Sequence, residues 1–321
     1  MHKQSSVYIA IALLSATIIA GCLLLLHTQK PTLPHANKLR VVCTTSMLTD
    51  AIRHVGGDHI VCTGLMGPGV DPHIYRARER DAHALTDADI IFYNGLHLEG
   101  KMIDIFKGLQ HYAPCIAVAD ELNKQELLCL SQTPLIYDPH IWFDVPLWMH
   151  VVHTIRDALI HVDPIHATDY RSNTTAYLEQ LQQLNTYIKD KVTTIAPAQR
   201  MLITAHDAFG YFGKAYGFTV VGLQGINTDA QASTQDIQAV AELVIKHKIP
   251  AIFVESSIPH RTLQAVQDAV HAHGWHITID PELYSDALGA PGTQEATYIG
   301  MMKHNIDAIA RGLTQLGKSG S

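Results

Sequence analysis

"RMLITAHDAFGYFGKAYGFTVVGLQG" spans Arg200 to Gly225. "RMLITAH" reads as a strand, "AFGYFGKAYG" as a short helix and "FTVVGLQG" as a second strand. A strand, a helix and another strand in so little chain form a βαβ unit, whose strands run parallel. The same alternation continues on both sides. Toward the C-terminus, 233–247 is helical, "PAIFVESS" a strand, 262–273 helical and "WHITID" a strand. Toward the N-terminus come "LRVVCTT", a helix over 47–55, "HIVCTGLMG", a helix over 76–87, "ADIIFYNG", the helical "MIDIFKGL" and "APCIAVAD". "GLMG" at 64–67 stands where "GLQG" stands at 222–225, and "IIFYNG" matches "AIFVESS". The chain therefore reads as α/β, with two similar halves built on parallel sheets.

A different pattern separates the halves. Tyr177, Leu181, Leu184, Ile188, Val192 and Ile195 recur at steps of three and four, one face of a helix over 165–195. Pro164 suits its first turn and Pro197 blocks its extension. At 1.5 Å per residue it would span roughly 45 Å, enough for a stiff spine joining both halves.

At 321 residues, two domains are expected. Hydrophobic residues make up 47% and charged residues 17%, which excludes a disordered chain. The net charge of −7 and the absence of a basic run argue against nucleic acid. Lys3 precedes an apolar run from Val7 to Leu26, and "IAGC" ends at Cys22. This resembles a bacterial lipoprotein signal, with Cys22 as the lipidated residue. "LLLL" after the cysteine leaves an uncleaved anchor as the alternative, since about 20 apolar residues can span a bilayer. Either arrangement places the globular part outside the cytoplasm, tethered to a membrane. The segments are then 1–22 signal or anchor, 23–38 tether, 39–164 first domain, 165–195 linking helix and 196–321 second domain. Cys43, Cys62, Cys115 and Cys129 form no CxxC, so a zinc knuckle is not expected. The first three sit in strand-like runs and read as buried free thiols, with a disulfide left open.

Ligands of open α/β sheets bind beyond the carboxyl ends of the strands. "DPHI" occurs twice, at 71–74 and 138–141, each time in a loop. His73 follows "HIVCTGLMG", His140 precedes the "PLW" helix start, His206 ends the strand "MLIT", and Asp286 follows "HITID" in "LYSDALG". Each half offers two donors that tertiary folding could bring together. Asp71, Asp138, Asp144, Asp207 and Glu255 lie close in sequence to these residues or to strand ends, where any could accept the second ring N–H of a histidine and fix its tautomer. The alternatives are turn formation for Asp71 and Asp138 and a helix cap for Asp207. Glu99 could line the cleft, with His97 a bystander. His150 with His153, and His271 with His273, read as surface or packed histidines. GxGxxG, GxSxG, HExxH and Walker A patterns do not occur.

Taken in order, "GLMGPGVDPHIY", "NGLHLE", "DPHIWFD", "TAHDAFGYF", "IFVESSIPH" and "YSDALG" resemble the TroA-type proteins, the cluster A-I metal-binding receptors of ABC importers. The resemblance runs from about Leu39 to Leu316. It implies two (β/α)4 domains with parallel sheets, a long rigid backbone helix between them and a metal in the interdomain cleft. The family's ligand motifs fall on His73, His140, His206 and Asp286. It also implies one Zn2+ (or Mn2+) per chain, a membrane permease as partner, and a monomer. Manganese and iron members of the family usually carry Glu where His206 stands, which tilts the expectation toward zinc. Residues 121–137 lack the histidine-rich loop of the zinc-specific branch. Two other functions compete: a zinc-dependent hydrolase using the same three-His, one-Asp set, and a surface adhesin. Four protein donors fill a tetrahedron and leave no open position, which disfavours the hydrolase.

Overall fold

Short β-branched runs build the first sheet of the computed structural model, which describes residues 38–130, 136–279 and 282–314. The apolar run at 7–26, Cys22 and most of the 23–38 tether lie outside the described residues. Strands β1 (Leu39–Cys43), β2 (Ile60–Gly64), β3 (Ile90–Tyr93) and β4 (Cys115–Ala117) are all parallel and take the order β2-β1-β3-β4. Each is followed by a helix: α1 (Ser46–Gly56), α2 (Glu79–Thr86), α3 (Ile103–Leu109) and α4 (Val145–Val162). Side-chain oxygens start two of them. Thr45 accepts the Leu48 amide at 3.4 Å and Asp144 that of Leu147 at 3.2 Å.

The second half repeats the scheme. β5 (Met201–His206) pairs with β6 (Thr219–Gln224), and β7 (Ala251–Ile252) with β8 (Thr278–Ile279), both in parallel. A single bridge between Thr204 and Phe253 sets β7 against β5, giving β6-β5-β7-β8. The intervening helices are α6 (Gly210–Tyr216), α7 (Thr234–His247), α8 (Arg261–Ala272) and α9 (Tyr298–Thr314). The two (β/α)4 halves thus share one strand order, with the first strand of each half central. β7 is shorter than "PAIFVESS" leads one to expect. Beyond Ile252 the ladder thins to isolated bridges, and the carboxylate of Glu255 takes up the His206 amide at 2.9 Å.

The spine, α5 (Ala167–Thr193), is 27 residues long and lies between short 3-10 turns at Pro164–His166 and Pro197–Gln199. That is about 40 Å of helix. Tyr170, Thr174, Tyr177, Leu181, Leu184, Asn185, Ile188 and Val192 form its buried face. It packs against α1 and α4 of the first half and α9 of the second. One hydrophobic core consequently runs from Leu39 to Leu313 and includes residues of both halves. A smaller core lies under α7 and α8. Among the described residues no helix is long and apolar enough to cross a membrane. All four described cysteines are free; only Cys43 is fully buried, while Cys62 and Cys115 are partly exposed, because both sit toward the sheet edges.

Candidate metal centre

The donors arrive from the carboxyl ends of strands in both halves. β2 runs out through Leu65 and Met66 into the turn bearing His73. His140 precedes a 3-10 turn, Ile141–Phe143, that leads into α4. His206 is the last residue of β5, and Asp286 lies just past the bridge between Glu255 and Leu283. Gly222 fixes how closely β6 lies along the end of β5. A Cβ there would stand 2.3 Å from the Asp207 amide nitrogen, so no larger residue leaves His206 in place.

The repeated tetrapeptide makes the same local structure twice. Oδ1 of Asp71 accepts the His73 amide at 2.9 Å, and Oδ1 of Asp138 accepts the His140 amide at 2.9 Å. These are Asx turns, and each lifts its imidazole into the cleft. The copies then diverge. Oδ1 of Asp138 also lies 2.7 Å from Nδ1 of His140. Oδ2 of Asp71 instead accepts the hydroxyl of Thr228, in the opposite half, at 2.6 Å.

One ligand atom from each of His73, His140, His206 and Asp286 falls within 4.8 Å of all the others, and all four residues are buried. Nε2 of His73 lies 3.2 Å from Nε2 of His140. Asp286 faces all three rings, with oxygens 3.8 Å from His73, 3.5 Å from His140 and 3.3 Å from His206. Neither oxygen of Asp286 accepts a hydrogen bond, and Nε2 of His206 makes none. Buried polar atoms without partners cost free energy, and the short contact between the His73 and His140 Nε2 atoms is a hydrogen bond only while one of the two carries a proton. A single cation coordinated by three Nε2 atoms and one carboxylate relieves both conditions, so the donors fit a metal ion.

Their electrostatics are uneven. Burial pushes the His73 imidazole down to about 4, against the attraction of Asp286. Burial also opposes charge on His206, but Glu255 and Asp286 flank it and raise it well above the ordinary histidine range. Burial works against ionising Asp286 too, yet His206, then His140 and His73, hold its carboxyl far below the usual value. Nδ1 of His206 stands 2.6 Å from Oε2 of Glu255, a close ion-pair contact that is poorly aligned as a hydrogen bond. Carboxylates thus stand behind two of the three rings, fixing which nitrogen faces the centre.

Of the nearby acids considered from sequence, Asp138 and Glu255 reach the ring of a candidate ligand, His140 and His206 respectively. Asp144 caps α4, so its carboxylate is spent on the Leu147 amide. Asp207 does not cap α6, because Phe209 holds that position; it lines the cavity at the mouth of the centre. Glu99 does not line the cleft. It is buried, accepting from the Thr44 hydroxyl at 2.7 Å and from the amides of Asn94 and Gly95 at 2.7 and 3.3 Å. Asn94 in turn donates to the carbonyl of Pro139 at 3.0 Å, steadying the His140 loop. Sequence reasoning missed Asn94, although it occupies in "IIFYN" the place Glu255 takes in "AIFVE".

The mouth is a cavity of about 440 Å³ lined by His73, His97, Tyr137, Asp207 and Asn227 among others. His97 is exposed on a left-handed backbone at φ 65°, next to Leu96 at 51°. His150 and His153 border a separate surface cavity, and His153 contacts Arg156 at 2.9 Å. His271 and His273 bond to backbone carbonyls.

Residues 41–312 match the family model described as ZnuA, "Zinc-uptake complex component A periplasmic". The chain is 44% identical over 275 residues to the "Zinc-binding protein TroA" of Treponema pallidum, covering 86% of this chain and 89% of that protein. It is 42% identical over 276 residues to the "Manganese-binding lipoprotein MntA" of Bacillus subtilis, covering 86% and 90%. The solved structure of the periplasmic zinc-binding protein TroA from Treponema pallidum superposes with a TM-score of 0.85 at 43% identity, covering 87% of this chain and all of that one.

Proposed function

The chain belongs to the family of zinc-uptake complex component A periplasmic proteins, and from that premise we propose that it binds one divalent transition metal ion tightly outside the cytoplasm and delivers it to the permease of an ABC transporter. His73, His140, His206 and Asp286 are its metal ligands. The observation that carries this reading is the convergence of four buried donors, two from each half, within 4.8 Å. Zinc is the cargo best suited to three imidazoles and one carboxylate, and manganese is the competitor. The relatives divide between these two metals in their names. Those relatives are named for metal binding and the family for zinc uptake, which favours carriage over the hydrolase and adhesin readings.

Residues 39–164 and 196–321 act as two lobes on the 165–195 helix. The permease separates them slightly, so that an ion held by both lobes loses part of its coordination. Two polar contacts at the cleft rim would yield first: Asp71 with Thr228, and Lys101 with Asp229 at 3.0 Å. Deeper contacts, such as Trp142 Nε1 donating to the Ser285 carbonyl at 2.9 Å, hold the lobes together below. The protein works as a monomer, tethered to a membrane through lipid on Cys22 or through the uncleaved apolar run.

Elemental analysis of protein purified without chelator tests the proposal. One ion per chain is expected in the wild type and a marked loss in His206→Ala, with zinc displacing manganese in competition. Full loading of His206→Ala would overturn the ligand assignment, and a wild-type chain that takes up no divalent metal would overturn the function.

A further inference from the structure

Two thiols stand side by side away from the metal centre. In the β1–β2 ladder Val41 pairs with Cys62 and Cys43 with Gly64, so Cys43 and Cys62 are diagonal neighbours on adjacent strands. Their Sγ atoms are 3.6 Å apart. A disulfide needs about 2.05 Å between sulfurs and Cα atoms within about 7 Å, and diagonal neighbours stand about 7–8 Å apart, so closure draws the edge strand β2 slightly toward β1 as the side chains rotate. We propose that Cys43 and Cys62 are a redox pair, which an external disulfide closes into a covalent staple at the root of the His73 loop.

The surroundings give the two sulfurs different tasks. Cys62 is partly exposed on β2, the edge strand, whereas Cys43 is wholly enclosed. The contact with Cys43 favours the Cys62 thiolate, and the guanidinium of Arg53, which donates to the Cys62 carbonyl at 3.4 Å, adds to this against the opposing effect of burial. Burial disfavours the thiolate of Cys43, whose sulfur lies 3.1 Å from the hydroxyl of Thr49. Cys62 is therefore the entry point and Cys43 the resolving thiol. The Cys62 thiolate attacks an external disulfide, forming a mixed disulfide and releasing one thiolate. Cys43 then attacks the Cys62 sulfur, its proton passing to the second departing thiolate. Two protein thiols are oxidised, and the external disulfide is reduced to two thiols.

The place of the staple gives it a consequence. β2 is held in the sheet by β1 alone, and just past Cys62 the amides of Leu65 and Met66 bond to the carbonyls of Cys43 and Thr44. A covalent link there ties the strand that launches His73 to the centre of its sheet, and closes a loop between residues 19 apart.

The test uses the full chain, reduced and then incubated with oxidised glutathione at mildly alkaline pH, followed by non-reducing peptide mapping. The wild type should yield a Cys43–Cys62 linked peptide. Cys43→Ala should hold a glutathione adduct at Cys62, and Cys62→Ala should leave Cys43 a free thiol. The closed form should melt about 5 °C higher than the reduced form, from the loop-closure effect of such a link. A stable glutathione adduct at Cys62 in the wild type, or an unmodified Cys62 beside a modified Cys129, would overturn the pair. So would a linked form that melts lower than the reduced one. Because the first readout is made on the unsubstituted protein, a variant that folds poorly does not blunt it.

Discussion

Asp71 and Asp138 begin with the same task and end with different ones: one bonds across the cleft, the other stands behind an imidazole. Carboxylates placed behind ligand histidines set tautomer and basicity, and their loss typically costs about 10- to 100-fold in metal affinity. Asp138→Asn and Glu255→Gln should each weaken zinc binding by that factor in chelator competition while leaving stoichiometry at one. Asp144→Asn should leave affinity unchanged, since that carboxylate serves a helix. Glu255 and Asp286 favour the protonated His206 ring against the opposing effect of burial, so from neutral pH downward a metal competes there with a proton. His73, pushed down to about 4, has none to lose there. Metal affinity should therefore fall about tenfold per unit as pH drops through neutrality, an onset above the ordinary histidine range. Calorimetric titrations in two buffers of different ionisation enthalpy would show the released proton; buffer-independent heats at pH 7 would contradict it.

Most elements of the fold were legible before the structure. Strand–helix alternation gave the parallel sheets, and the three-four spacing from Tyr177 to Ile195 gave the spine to within two residues at each end. α9 was not read, because its buried Tyr298, Met301, Met302, Asn305 and Ile306 mix polar and apolar types and follow a long irregular stretch. The carboxylates behind the rings were half-legible. The sequence reading favours Asp144 over Asp138 and Asp207, and folding reverses that order, because a helix end claims Asp144 while Asp138 reaches the His140 ring. Glu255 is distant from His206 in sequence and adjacent in space, a relation carried by the β5–β7 bridge. At this scale Leu181→Ala, on the fully buried face of the spine, should cost about 2–5 kcal/mol in denaturant unfolding. Lys101→Ala breaks a half-exposed ion pair worth at most about 1 kcal/mol. It should speed metal release severalfold, and less in high salt.

For the molecule as a whole, His73 and His206 should bend the stability of the metal-free form in opposite directions about the ordinary histidine value, near pH 6.5. Below it, His73 accepts a proton more readily unfolded than folded, so stability falls as pH drops toward about 4, by roughly 1.4 kcal/mol per unit. Above it, the raised His206 gives up its proton more readily unfolded, so the stability it contributes fades as pH rises through its folded value. Thermal melts across pH with and without zinc would show the alkaline limb disappear on loading, since the ion then replaces the proton. The largest core, which draws residues from both halves between Leu39 and Leu313, has its own consequence. The spine is less an axle between independent bodies than a shared wall, and calorimetry of the empty protein should register a single peak. Severed in that wall, the chain should yield two fragments that stay soluble only when expressed together, each supplying the missing interior of the other.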